Sequence, residues 1–163
     1  MTMSNTLYVR DKRGEFVPAG SDTVVAAAKA HMSSRVRRGT VLSSPHMVRD
    51  FLSTRLGSRD AEYFCVITLD VRHRMIGYTE LSRGTIDGAA VHPREVVKLA
   101  LGRGAASVIL AHNHPSGVAD PSAADLLITK RLQEALALVD VSVSDHLIVA
   151  GGDSLSFAER GLL

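Results

Sequence analysis

A layered domain of α/β (α+β) class is what the sequence predicts. Runs rich in β-branched and aromatic residues alternate with stretches of helical periodicity, and Gly, Pro and Ser punctuate the changes. The 163 residues, 45% apolar and 22% charged, suit one compact domain with a real core and exclude a disordered or low-complexity chain.

Taken in order, YVRDKRGEFVPAG alternates weakly around Arg13-Gly14 and reads as a small hairpin or arm. From Ser21, SDTVVAAAKAHMSSRVRR starts with a capping residue and continues Ala-rich, a strong helix former. SSPHMVRDFLSTRLG repeats that grammar, with Ser43 or Ser44 as cap, Pro45 in the first turn and Gly57 beyond the end. AEYFCVITLDV is a strand, and RHRMIGYTELSRG is its antiparallel neighbour across a short polar turn. Pro93 opens a helix whose Val96, Val97, Ala100 and Leu101 share a face, ended by Gly102 or Gly104. Residues 106–111, ASVILA, form a short buried strand, and HNHPSGVADP follows as a loop. Ser122 begins a helix that turns Ile128, Leu132, Ala135, Leu136 and Val139 toward the sheet. VSVSDHLIVAGG is the last long strand, and DSLSFAERGLL packs a short turn back on the domain. Residues 1–40 read as an appended segment and 41–163 as the domain proper.

Composition narrows the function. Aromatics are 4% and Trp is absent, so few rings are available to stack on single-stranded nucleic acid. The single cysteine, Cys65, can build neither an intrachain disulfide nor a thiolate metal site, and its apolar neighbours mark it as a small core residue. The N-terminus lacks the apolar stretch of a signal peptide, and no run approaches the roughly 20 apolar residues that cross a bilayer. A cytoplasmic, non-membrane protein is expected. The net charge of +2 is uneven: residues 1–60 carry an excess of basic over acidic side chains, gathered at Arg35, Arg37 and Arg38. Such a cluster suits either a solvated helix end or contact with phosphate, as on DNA.

The chemistry gathers where the apolar strand runs out. His112 and His114 flank one residue, and side chains two apart on a strand emerge on one face, close enough to lean onto one ion. Asp125 follows in PSAADLLITKRL, three residues after Ser122. Ser-x-x-Asp before an apolar helix has a structural explanation, a capping box. One turn into its helix, Asp125 is also placed to project back toward the two imidazoles. Two imidazoles and a carboxylate suit Zn²⁺, and three protein ligands leave a fourth position open, as in catalytic sites. Zinc hydrolysis also needs a carboxylate to move protons. Glu15, Glu62, Glu80, Glu95, Glu134 and Glu159 are available; Glu62 stands out because it opens a strand where an acid is otherwise out of place.

The string H-x-H-x7-S-x-x-D with an upstream Glu resembles the JAMM motif of JAB/MPN-domain metalloproteases. EYFCVITLDVRHRMI, ASVILAHNHPSG, PSAADLLITKRL and DHLIVAGGDSLSFAERGLL narrow the resemblance to the RadC-like branch, nominally linked to DNA repair, over roughly residues 40–163. The resemblance implies a mixed β-sheet flanked by helices. It implies that His112, His114 and Asp125 bind zinc, that Glu62 is the acid/base residue, and that Ser122 donates a hydrogen bond to the oxyanion of a tetrahedral intermediate. It implies a hydrolase of peptide or isopeptide bonds in a protein substrate. A nonenzymatic DNA- or protein-binding module of the same fold and a metal-dependent nuclease are the competing expectations.

Two other readings fail. His112-Asn113-His114 spells HNH, but HNH nucleases take their name from dispersed residues, and a zinc deaminase needs a P-C-x-x-C that one cysteine cannot supply. Asp145 shares strand parity with Val141, Val143, Leu147 and Val149, which suggests a buried carboxylate that either accepts the free N–H of a ligand imidazole or pairs elsewhere in the core. His31, His46, His73 and His92 lack ligand spacing and read as structural or surface residues.

Overall fold

The computed structural model describes residues 6–35, 38–42, 44–84 and 91–163. Ser43, Arg37 and the end of the first predicted helix lie outside them, as does the side chain of Arg35. The small hairpin forms as expected: β1 (Tyr8–Arg10) pairs antiparallel with β2 (Phe16–Pro18) in a sheet of its own. Helix α1 (Ser21–Arg35) follows and lies against α2 (Pro45–Leu56). Ser44 takes the N-cap position of α2 and Pro45 its first turn. Gly57 ends α2 for a reason other than a left-handed turn. Its φ is −62°, but a Cβ there would sit 2.6 Å from the Ser53 carbonyl oxygen and 2.8 Å from that of Gly151.

The central sheet has five strands in the order β4-β3-β5-β6-β7. β3 (Tyr63–Leu69) pairs antiparallel with both β4 (Met75–Arg83) and β5 (Ser107–Asn113). β5 pairs parallel with β6 (Ser142–Ala150), the crossover being made by α4 (Ala123–Ala137). β7 (Asp153–Ser156) closes the far edge antiparallel to β6 and leads into the single turn α5 (Phe157–Arg160). The tail expected to contribute a turn thus also contributes a fifth strand. The segment 39–42 is tied to the start of β4 by Met75 N–H donating to the Thr40 carbonyl and Leu42 N–H to that of His73.

Both faces of the sheet are covered. On one, Val48, Phe51, Leu52 and Leu56 of α2 pack on Cys65, Ile67, Ile109, Ala111, Leu147 and Val149. On the other, α4 and α3 (Pro93–Gly102) bury Leu132, Leu136, Val96 and Ala100 against Phe64, Val66, Val108 and Leu110. Burial on both sides is why β3 and β5 read as continuous apolar runs rather than alternating ones. Leu101 departs from expectation and is 55% exposed. The i,i+4 pair Val96 and Ala100 faces the sheet, and Leu101 lies about 100° further round the helix. Among the described residues no helix is long and apolar enough to cross a membrane.

Cys65 is fully buried in the α2 layer, its Sγ 3.1 Å from the Tyr78 hydroxyl. Burial pushes the thiol up to about 12, so almost no thiolate exists near neutral pH. Native protein is therefore expected to resist iodoacetamide at pH 8 and to take up one equivalent once unfolded, a difference that intact-mass spectrometry reads directly.

Candidate metal centre

β5 runs two residues further than the apolar pattern indicated, through His112 and Asn113. His112 continues the Val108, Leu110 parity, so its ring enters the layer between the sheet and α4 and is 1% exposed. His114 lies just past the strand, its N–H still donating to the Val149 carbonyl in continuation of the ladder with β6. Gly117, at φ +81°, lets the following turn bring the Val118 carbonyl back to 2.8 Å from His114 Nδ1. A carbonyl only accepts, so Nδ1 carries the proton and Nε2 presents a lone pair.

Asp125 enters from the other side of the crossover, at the third position of α4, where the helix N-terminus favours a carboxylate. The capping box predicted from Ser-x-x-Asp is present. Ser122 Oγ accepts from the Asp125 N–H at 3.2 Å, while Asp125 Oδ2 accepts from the Ser122 N–H at 2.7 Å and from its hydroxyl at 2.6 Å. These bonds aim the carboxylate at the histidines. His112 Nε2 is 3.1 Å from Asp125 Oδ1, His114 Nε2 is 3.5 Å from Oδ2, and the two Nε2 atoms are 2.9 Å apart.

The donor set fits a small divalent cation. Tetrahedral zinc with bonds of about 2.0–2.1 Å holds its ligand atoms about 3.3 Å from one another; the two ring nitrogens are 2.9 Å apart, and with one Asp125 oxygen all three ligand atoms lie within 4.8 Å. Two ring nitrogens aimed at one point beside a carboxylate carry negative charge at their focus, which a cation offsets. Burial works against ionising Asp125, yet its place against His112 and the hydrogen bonds from Ser122 hold its carboxyl well below the usual carboxylate range. His114 and Asp125 side chains are 17% and 11% exposed against 1% for His112, so the group opens to solvent on the His114 side.

Several buried groups behind the ligands were not visible in the sequence. His112 Nδ1 lies 2.8 Å from His146 Nε2, and His146 Nδ1 lies 2.6 Å from Thr129 Oγ1. His146 and Thr129 are 0% and 1% exposed. His146 packs against the Phe64 and Phe157 rings, and burial, reinforced by His112, depresses its basicity well below that of an ordinary imidazole. The one available signal was a polar ring inside the apolar run HLIVA. Asn113, on the opposite face, uses its side chain to bind the Tyr63 N–H and the Ala61 carbonyl, 2.8 and 2.9 Å away.

That clamp brackets Glu62. Phe64, opposite His112, is where the β3–β5 ladder begins, and Glu62 lies two residues before it. Its carbonyl accepts from Gly84 N–H at 2.7 Å, and the residue is half-buried. It is not part of the group formed by His112, His114 and Asp125.

Asp145 takes the second of the two roles the sequence left open, pairing away from the ligand imidazoles. β6 carries a bulge: Val143 pairs with Val108, but Asp145, not Ser144, pairs with Ile109. The extra residue breaks the alternation, so Asp145 faces the α2 side with Leu147 and Val149 while His146 turns toward His112. The Asp145 carboxylate instead accepts from its neighbour's N–H, the Ser156 hydroxyl and the Ala158 N–H. The ring behind the ligand is therefore His146. Of the other histidines, His46 pairs with Asp50 on the surface and His73 sits at φ 55° in the turn before β4.

Comparison with known proteins agrees with this arrangement. The family model of a RadC-like JAB domain matches residues 42–162. A UPF0758 protein of Nitrosococcus oceani is 58% identical over 135 residues, 83% of this chain and 60% of its own length. One from Cellvibrio japonicus is 56% identical over 86% of this chain and 62% of its own length. Another, from Marinobacter nauticus, is 56% identical over the whole of this chain and 73% of its own. The chain thus spans about three-fifths of the length of the first two relatives.

Proposed function

The chain belongs to the RadC-like JAB domain family, and from that premise we propose that it is a zinc-dependent hydrolase of amide or isopeptide bonds. The observation that carries the reading is the convergence of His112 Nε2, His114 Nε2 and an Asp125 oxygen, all within 4.8 Å of one another, from strand, loop and helix. These three residues would hold the ion. When bound, Zn²⁺ supplies Lewis acidity, lowering the pKa of water from about 15.7 toward about 7 and polarising a carbonyl.

The remaining work falls to the chain. Glu62, just before β3, takes a proton from the attacking water and delivers it to the leaving nitrogen as the C–N bond breaks. Ser122, exposed at the lip of the group, donates to the oxygen of the tetrahedral adduct. Its hydroxyl is engaged by Asp125 Oδ2 at rest. The backbone N–H of Ser122 still holds that oxygen when the hydroxyl turns away, so the ligand stays oriented.

The substrate on this reading is a peptide or isopeptide-linked protein, and the compartment is the cytoplasm. DNA as a second partner has one observation in its favour. Arg38, from the basic segment, lines a cavity of about 320 Å³ with Arg74, Arg103 and Asp70, about 20 Å along β3 from the metal group. Three guanidinium groups against one carboxylate suit phosphate. Labelled peptide, isopeptide-linked and DNA substrates, each with and without a chelator, test the assignment. Chelator-sensitive cleavage of the amide substrates is expected; cleavage of DNA alone would replace the proposal with a nuclease.

A further inference from the structure

Behind His112 lies a chain of buried groups whose proton positions are fixed from its far end. Thr129 Oγ1 is 2.6 Å from the Asp125 backbone carbonyl, which can only accept, so the hydroxyl donates there. Having spent its one hydrogen, Thr129 meets His146 Nδ1 at 2.6 Å as an acceptor. His146 Nδ1 therefore carries a proton. The ring is fully buried against Phe64 and Phe157 with no carboxylate on either nitrogen, where an unpaired imidazolium would be costly, so it is neutral and Nε2 is bare. The 2.8 Å contact with His112 Nδ1 then requires the proton to sit on His112.

We infer that Thr129 and His146 are positioning residues that lock His112 with Nδ1 protonated, so that its Nε2 lone pair points at the focus shared with His114 and Asp125. The proposal rests on the metal-site reading above. The chain of bonds begins on the carbonyl of Asp125 itself, so one ligand residue sets the tautomer of another through two intermediaries. His114 receives the same tautomer more simply, from the Val118 carbonyl. The closed set of partners also explains how a neutral imidazole is tolerated at full burial: both His146 nitrogens are satisfied, and Phe64 and Phe157 enclose the ring.

Two measurements test it. In metal-free protein labelled with ¹⁵N-histidine, NMR at neutral pH is expected to show His146 protonated at Nδ1 alone and His112 protonated at Nδ1; a proton on His146 Nε2 overturns the inference. In zinc competition titrations, Thr129→Val, which keeps the shape but removes the acceptor, is expected to weaken binding about 10- to 100-fold, the range for groups that orient metal ligands. Thr129→Ser is expected to bind as wild type. Equal affinity of Thr129→Val and wild type, or equal loss in both variants, rejects the relay. If wild type takes up no zinc, the metal reading fails while the NMR spectrum still decides the tautomer. Should Thr129→Val not fold, the wild-type spectrum decides alone.

Discussion

Asp125→Ala is expected to lose zinc on the order of a hundredfold or more in affinity, beyond the 10- to 100-fold that outer groups command, because it removes one of three ligands and the only charged one. Purified wild type should carry near-stoichiometric metal by elemental analysis, and the variant much less. The substitution also removes half of the capping box at the start of α4, which costs about 0.5–2 kcal/mol of stability. Asp125→Asn separates the two effects. It keeps hydrogen-bonding capacity for the Ser122 N–H but no negative charge, so it should retain more thermal stability than Asp125→Ala while still binding zinc weakly. Stoichiometric zinc in Asp125→Ala would remove the basis of the metal assignment.

Glu62→Gln should leave zinc content unchanged and reduce turnover of the amide substrate by about 10²- to 10⁴-fold, the range associated with a positioned proton carrier. The two readouts are separable because Glu62 stands outside the group formed by His112, His114 and Asp125. The isosteric amide preserves the half-buried packing at the start of β3 and removes only the ability to accept and return a proton. Lost metal in Glu62→Gln would make the residue a ligand, and unimpaired turnover would return the search to the other carboxylates.

Much of the architecture was legible because it is written in local periodicity. The paired strands β3 and β4, the helices that start at Ser44, Pro93 and Ser122, and the buried run of β5 all follow from apolar spacing and cap chemistry within a dozen residues. The metal group was legible for a similar reason. His112 and His114 declare themselves by parity on one strand, Ser122 and Asp125 by their offset in one helical turn, and the likeness to the JAMM motif joined the two. What the pattern missed lay in pairings between strands. Nothing local indicates that Ser144 is an extra residue, because a bulge exists only relative to its partner strand. Counting parity through it groups Val141 and Val143 with Asp145, although they lie on the opposite face, and hides His146.

Residue types and their spacing were thus enough to establish strands layered with helices and to name the three groups of the candidate cation site, since both depend on contacts within a strand or a turn. The orientation of those groups depended on the fold. His112 acquires its proton arrangement from a ring on β6 and a hydroxyl on α4, and the backbone on either side of Glu62 is held by Asn113 of β5. Hydrogen bonds act over about 3 Å in space whatever the separation in sequence, so the supporting groups become visible only once the crossover through α4 has laid β6 beside β5.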